Sequence, residues 1–224
     1  MCVDYKGCIL KIMPIPFYVT SLRLLIPLFI LKWPLWGILA SSLADMYDWQ
    51  FVNLATPDDF ALYQNWDKAM DLYYWIFALI IISKWKDLAA KRLALGLFIY
   101  RIFGMVMFWL SGKRMYLFIF PNVFENFFIF YLLFTLLFKK YKLLSSWKVG
   151  AIVFSVLIIP KLIHEYFMHF LEKQPWEFYN VGGYFGFKGF FEEYTNYLVW
   201  GSIFYILPFI IGLFWVNKLQ TKRG

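Results

Sequence analysis

Charge is scarce in this chain. Asp, Glu, Lys and Arg together make up 16% of its 224 residues, against about 25% in an ordinary soluble domain. With 62% hydrophobic residues, the chain has too little polar surface to cover a core in water, which excludes intrinsic disorder and an ordinary water-soluble enzyme. Cysteine is nearly absent. The two present, Cys2 and Cys8, precede the first apolar run, and they make neither a disulfide framework nor a four-ligand zinc site. Histidine is as rare, with two residues. A cleavable signal peptide is not expected, because Asp4 interrupts the start and no small-x-small site follows a short apolar stretch.

What is present is aromatic and apolar: 27 Phe, 16 Tyr and 11 Trp, in long runs. A hydrocarbon span needs about 20 mostly apolar residues as a helix, whereas a transmembrane barrel strand alternates polarity over about 10. The runs here are long and continuous, so the fold class is all-α, a polytopic transmembrane helix bundle. Runs begin near Phe17, Pro34, Asp67, Leu93, Met115, Trp147 and Tyr197. This predicts six or seven spans, depending on whether 17–44 is one kinked helix or two. No linker is long enough to separate domains, so 1–224 reads as a single integral membrane domain.

The net charge of +8 comes from Lys and Arg grouped between apolar runs. That is the place of topology-setting and snorkelling residues, so nucleic acid is not an expected partner; membrane lipids are. With seven spans, the basic-rich side carries Lys84, Lys86, Lys91, Arg92, Lys139, Lys140 and Lys142, opposite residues 49–66. The positive-inside rule then turns residues 49–66 outward.

Two stretches read as non-helical. Residues 49–66 contain Thr56-Pro57-Asp58-Asp59, a turn followed by a helix N-terminus. Residues 174–191 carry Gly182, Gly183, Gly186 and Gly189 among aromatics, as in a structured interfacial loop, a lid or a re-entrant segment.

The chemical signal lies in the acids. Of 14 acidic residues, six fall between 45 and 71. Asp45 with Asp48 (i,i+3) and Asp67 with Asp71 (i,i+4) each share one helical face. One pair ends an apolar run and the other begins the next, so both can face one cleft. Four such carboxylates repel one another, and a hard divalent cation, Mg²⁺ or Mn²⁺, relieves the repulsion through oxygen ligands alone. The plainer reading is that these are solvated helix-end residues. It suits Asp67 at a helix N-terminus, but not Asp45 and Asp48 at a C-terminal end, where negative charge is unfavourable.

Asp45-x-x-Asp48 followed by Asp67-x-x-x-Asp71 resembles the signature of the CDP-alcohol phosphotransferases, D-x-x-D-G-x-x-A-R, then G-x-x-x-D-x-x-x-D. Ser21-Leu22-Arg23-Leu24-Leu25-Ile26-Pro27-Leu28 is similar to that family's first helix, and Trp66 to Asp71 to the start of its third. The resemblance covers roughly residues 18–80. Trp49 stands in place of the first Gly, Val52-Asn53 in place of Ala-Arg, and Leu62 or Tyr63 in place of the second Gly; the pairs are one residue further apart than in the pattern. The resemblance implies that Asp45, Asp48 and Asp67 are metal ligands, that Asp71 is the general base on an acceptor alcohol, and that a nucleotide-linked lipid or alcohol is substrate. It also implies a site facing the cytoplasm, opposite to the charge-based orientation. Lys68 is placed to contact a phosphate or to snorkel at the interface. A homodimer is compatible with this class.

Arg101, Glu125, Lys161, His164, Glu165 and His169 lie inside apolar runs, where ionisable groups face a bundle interior or a wet path. Lys161, Glu165 and His169 follow at i,i+4 and can neutralise one another. The two His residues, five apart, do not make an H-E-x-x-H zinc motif. A structural polar network, a headgroup lining and an ion path all fit, so the alternative to an enzyme is a transporter or channel, or a scaffold whose polar groups serve helix packing.

Overall fold

The computed structural model describes residues 15–52, 56–139, 142–171, 173 and 175–221. Cys2 and Cys8 lie outside them. The described residues are helical, without a strand, as the apolar patterning requires. The chain divides into two compact units, Met1–Ile81 and Ile82–Gly224.

In the first unit, α1 (Phe17–Leu25) passes into a 3₁₀ turn (Ile26–Leu31) that begins beside Pro27. Proline has no N–H to continue an α-helical ladder. After Lys32 and Trp33 the chain starts α2 (Pro34–Asp48), with Pro34 in its first turn. Residues 17–44 are therefore two helices with a break between them. Gly37 lies so close to the Ile30 backbone that no Cβ fits there, and this approach sets α2 against the turn. A short 3₁₀ turn (Trp49–Phe51) ends α2.

α3 (Pro57–Ser83) has 27 residues and is about 40 Å long. Its start is the one read from sequence: the Thr56 hydroxyl accepts from the Asp59 amide at 3.2 Å, and the Asp59 carboxylate accepts from the Thr56 amide at 3.1 Å, a reciprocal cap. The helix thus begins ten residues before the apolar run at Asp67. Asp67 and Asp71 are mid-helix residues, away from the favourable N-terminal dipole. The unit's interior includes Ile30, Ile38, Tyr74, Trp75 and Ala78.

In the second unit, α4 (Leu88–Ser111) is capped by Asp87, which accepts from the Ala89 and Ala90 amides at 3.1 Å. It stops at Gly112, whose φ of 68° suits glycine. α5 (Met115–Ile119) and α6 (Val123–Leu137) are one apolar run broken at Phe120-Pro121-Asn122. α7 (Trp147–Glu165) continues as a π-helical turn (Tyr166–Phe170). The glycine-rich stretch holds two short helices, α8 (Pro175–Phe178) and α9 (Val181–Tyr184). α9 is pinned to α10 (Phe190–Gly201) by Asn196, which accepts from the Gly182 amide and donates to Asn180, and the Tyr179 carbonyl just after α8 accepts from the Trp200 indole, so this stretch is a structured element. A second π-helical turn (Ser202–Ile206) leads into α11 (Leu207–Thr221).

Among the described residues, four segments are long and apolar enough to cross a membrane: Leu88–Ser111, Met115–Leu137, Trp147–Phe170 and Phe191–Leu219. α6 is central, with Phe124, Phe127, Phe128, Phe130 and Phe134 all buried, while Ile99, Leu110 and Phe214 on α4 and α11 point outward. An apolar exterior of this kind fits an integral membrane protein.

Candidate metal centre

The two acid pairs come together. Asp45 and Asp48 occupy the last turn of α2, and Asp67 and Asp71 lie one turn apart on α3. At their centre is a residue that the acid pattern did not single out: Arg23 of α1, with a side chain only 2% exposed. Its Nη1 hydrogen-bonds Asp45 and lies 3.0 Å from Asp48, while its Nη2 lies 3.5 Å from Asp67 and 3.4 Å from Asp71. Lys68 adds a second cation, with Nζ 2.7 Å from Asp67 and 3.1 Å from Asp71. Its neighbours in those pairs are acids of α3. Trp66 lies under the guanidinium, 5.6 Å from its ring centroid, within cation–π range.

Oxygens of Asp45, Asp67 and Asp71 all lie within 4.8 Å of one another. This trio takes Asp71 where the sequence reading took Asp48. Asp48 is outside the trio: its Oδ1 accepts from the Tyr63 hydroxyl at 2.5 Å, and its buried Oδ2, 3.0 Å from Arg23 Nη1, has no hydrogen-bond partner. Burial pushes the Asp48 carboxyl up to about 7, with Asp67 and Asp45 adding to the rise against the pull of Arg23. Burial, Asp67 and Asp48 likewise raise the Tyr63 phenol, so it stays a hydrogen-bond donor. Burial also acts to raise Asp45, but Arg23 and Lys68 overcome it and hold that carboxyl down to about 2.

The donor set fits a hard cation. It consists of carboxylate oxygens without a His or Cys, which suits Mg²⁺, Mn²⁺ or Ca²⁺. Formally, four carboxylates against Arg23 and Lys68 leave two negative charges, the complement of one divalent ion. Access is from the Asp45 side, whose side chain is 31% exposed, while those of Asp48 and Asp71 are 2% and 4% exposed.

No family model, curated protein or solved structure matches the chain.

A second set of polar side chains lies in the other unit. Glu165 is 3.1 Å from Lys161 and 2.9 Å from His169, and it accepts from the Asn122 amide. Asn122 donates to Glu125 at 2.8 Å, and Tyr205 links Lys161 to His164. Arg101 donates to the carbonyls of Leu117 and Phe120, at the broken end of α5. This satisfies backbone groups that a break would leave bare in hydrocarbon. The two His residues face different partners, and no His-containing metal group converges among the described residues.

Proposed function

We propose that this chain is a multi-pass integral membrane enzyme that uses a divalent cation to transfer a phosphate-linked group from a nucleotide-diphosphate-linked donor to an alcohol at the membrane interface. The observation that carries the reading is the convergence of Asp45, Asp67 and Asp71 from two helices on a shared point, with Asp48 behind them. A cation held there, Mg²⁺ or Mn²⁺, offsets the charge of a diphosphate and orients it. Asp45 and Asp67 are the outer ligands. Lys68, at the rim, meets the donor's phosphate. Asp71 takes the alcohol's proton in the role the resemblance implies; its Oδ2 is held by Lys68 and its Oδ1 by Arg23. Asp48, tied to Tyr63, supports Arg23. Trp49 stands where the resembled pattern has its first glycine and Leu62 or Tyr63 where it has its second, so the space for a nucleotide differs from that pattern.

The test is cation binding and transfer by purified protein in lipid. Asp45→Asn and Asp67→Asn are expected to abolish both Mg²⁺-dependent thermal stabilisation and transfer to an alcohol acceptor. Asp71→Asn separates its two possible roles: a base loses transfer and keeps Mg²⁺ stabilisation, a ligand loses both. Mg²⁺ stabilisation unchanged in Asp45→Asn and Asp67→Asn overturns the proposal.

The polar set around Glu165 favours a second reading, a transporter or channel. Arg101, Glu125, His164 and Glu165 lie beside a helix broken inside an apolar run, an arrangement that transport sites use. Solute or ion flux in liposomes that disappears with Glu165→Gln would select it.

A further inference from the structure

The second unit has a cavity of about 210 Å³ lined by Lys86, Asp87, Tyr131, Thr135, Lys139 and Lys142, with Leu143. Its position is set by two spans. Lys86 and Asp87 immediately precede α4, and Lys139 and Lys142 follow the end of α6, so the cavity opens where both helices leave the apolar layer. Three lysines and one aspartate contribute to its lining. That carboxylate is already engaged, since Asp87 caps α4 and its charge sits on the positive end of the helix dipole. Lys86 and Lys139 form no ion pair among the described residues. Tyr131 also lines it, its ring stacked on Trp85 with ring centroids 3.8 Å apart.

We infer that this cavity binds the phosphate of an anionic lipid headgroup. The charge excess calls for an anion, and basic pockets between spans at the membrane surface recognise phosphate-bearing headgroups. The size points the same way. Sites that engulf a whole small molecule run to about 300–1,000 Å³, so this smaller one admits a headgroup and leaves the rest of the ligand outside. Outside it lie Leu88, Leu136 and Leu137, which are 63%, 57% and 58% exposed. They adjoin the lining residues Asp87 and Thr135 in sequence and offer exposed apolar surface for acyl chains, which free phosphate would not use. Ordinary snorkelling lysines would supply charge with no concavity and no role for the phenol.

The test uses the full chain purified in neutral detergent, with retained lipid counted by native mass spectrometry. The probes are short-chain phosphatidylglycerol, short-chain phosphatidylcholine and inorganic phosphate. Phosphatidylglycerol should be retained over phosphatidylcholine, and Lys86→Ala/Lys139→Ala/Lys142→Ala should weaken its binding about tenfold. Tyr131→Phe, which changes no charge, should weaken it by a smaller but measurable factor, about threefold. A control triple at lysines outside the cavity, Lys84→Ala/Lys113→Ala/Lys148→Ala, should leave it unchanged. Equal losses in the two triples would reduce the effect to general surface charge and overturn the site. Displacement of the lipid by inorganic phosphate at matched concentration would overturn the assignment to a lipid. If the cavity triple fails to fold, Tyr131→Phe decides: unchanged binding overturns the proposal.

Discussion

The Arg23 guanidinium lies 3.0 Å from the Asp48 carboxylate, and both side chains are 2% exposed. Neither charge has water to fall back on, and the same guanidinium also meets Asp45, Asp67 and Asp71. Arg23 is thus the resident counter-ion of the acid cluster, and any metal ion that enters shares the carboxylates with it.

Arg23→Gln should therefore be among the most destabilising single substitutions in the first unit. Removing one partner of a buried charge set leaves the others uncompensated, at a cost of about 3–5 kcal/mol. In this protein the loss should be largest in EDTA and should shrink in saturating Mg²⁺ or Mn²⁺, because the cation takes over the neutralisation. Thermal unfolding of both proteins with and without the ions checks it. An equal deficit in the two conditions would mean that the cluster takes no cation.

The acids also predict a pH dependence whose sign is shared by Asp48, Asp67 and Asp71, each raised by burial first. The Asp48 carboxyl rises from 3.8 to about 7 on folding, through burial first and then Asp67 and Asp45. A raised acid favours the folded state when protonated, so its contribution is complete below about pH 4 and is lost as pH climbs through about 7. Asp45, held down to about 2, acts oppositely and only below its ordinary value. Cation-free protein should therefore become less stable from about pH 4 to 7, and Asp48→Asn should reduce that slope, the rest coming from Asp67 and Asp71. Unfolding midpoints across this range in EDTA measure it; a slope unchanged in Asp48→Asn would place the titration elsewhere.

Much of this site was legible in the sequence because helical spacing dictates which acids share a face. Asp45 with Asp48 and Asp67 with Asp71 follow from periodicity alone, and Thr56 to Asp59 announced the start of α3. Hydropathy hid the length of that helix. Residues 57–66 are too polar to extend the apolar run, so Asp67 read as a helix start when it is mid-helix. Arg23 carried a signal, a charge inside an apolar run, but its partners are 22 to 48 positions away, a distance that no local pattern spans. Tyr63 carried none, since one more aromatic among so many is unremarked until its hydroxyl meets Asp48. In the second unit, i,i+4 spacing gave Lys161–Glu165–His169, whereas Tyr205 and the Asn122 amide reach Glu165 and its neighbours only through the tertiary fold.

Lys161 and Glu165 lend themselves to a pairwise test. Both are buried in the apolar segment Trp147–Phe170, 3.1 Å apart. Glu165→Leu alone leaves the ammonium with Tyr205 but no carboxylate partner, and Lys161→Met alone leaves the carboxylate with His169 and the Asn122 amide but without its lysine. Each should cost about 3–5 kcal/mol, whereas the double variant should recover most of the loss, because replacing a whole buried pair by apolar groups is close to neutral. Unfolding of the four proteins in one detergent gives the coupling. Additive losses would show that each side chain is held by other partners, such as His169 for Glu165 and Tyr205 for Lys161.

Gly37 links backbone packing to the acid cluster. Its Cα faces the Ile30 backbone, and a Cβ there would overlap main-chain atoms that cannot rotate away. Gly37→Ala must therefore push α2 off the 3₁₀ turn, at about 1–3 kcal/mol as in other overpacked interiors. The turn continues from α1, which carries Arg23, and α2 carries Asp45 and Asp48. Separating them moves the guanidinium away from the first acid pair while Asp67 and Asp71 keep their places on α3. The expected result is a lower unfolding midpoint together with weaker Mg²⁺ stabilisation, even though residue 37 touches no acid. Gly96 is the control, because no atom lies within 4 Å of a Cβ added there; Gly96→Ala should leave both readouts intact or slightly improved, as alanine is the better helix former. A Gly37→Ala protein with full cation response and a lowered midpoint would show that the acid cluster keeps its geometry independently of the α2 contact.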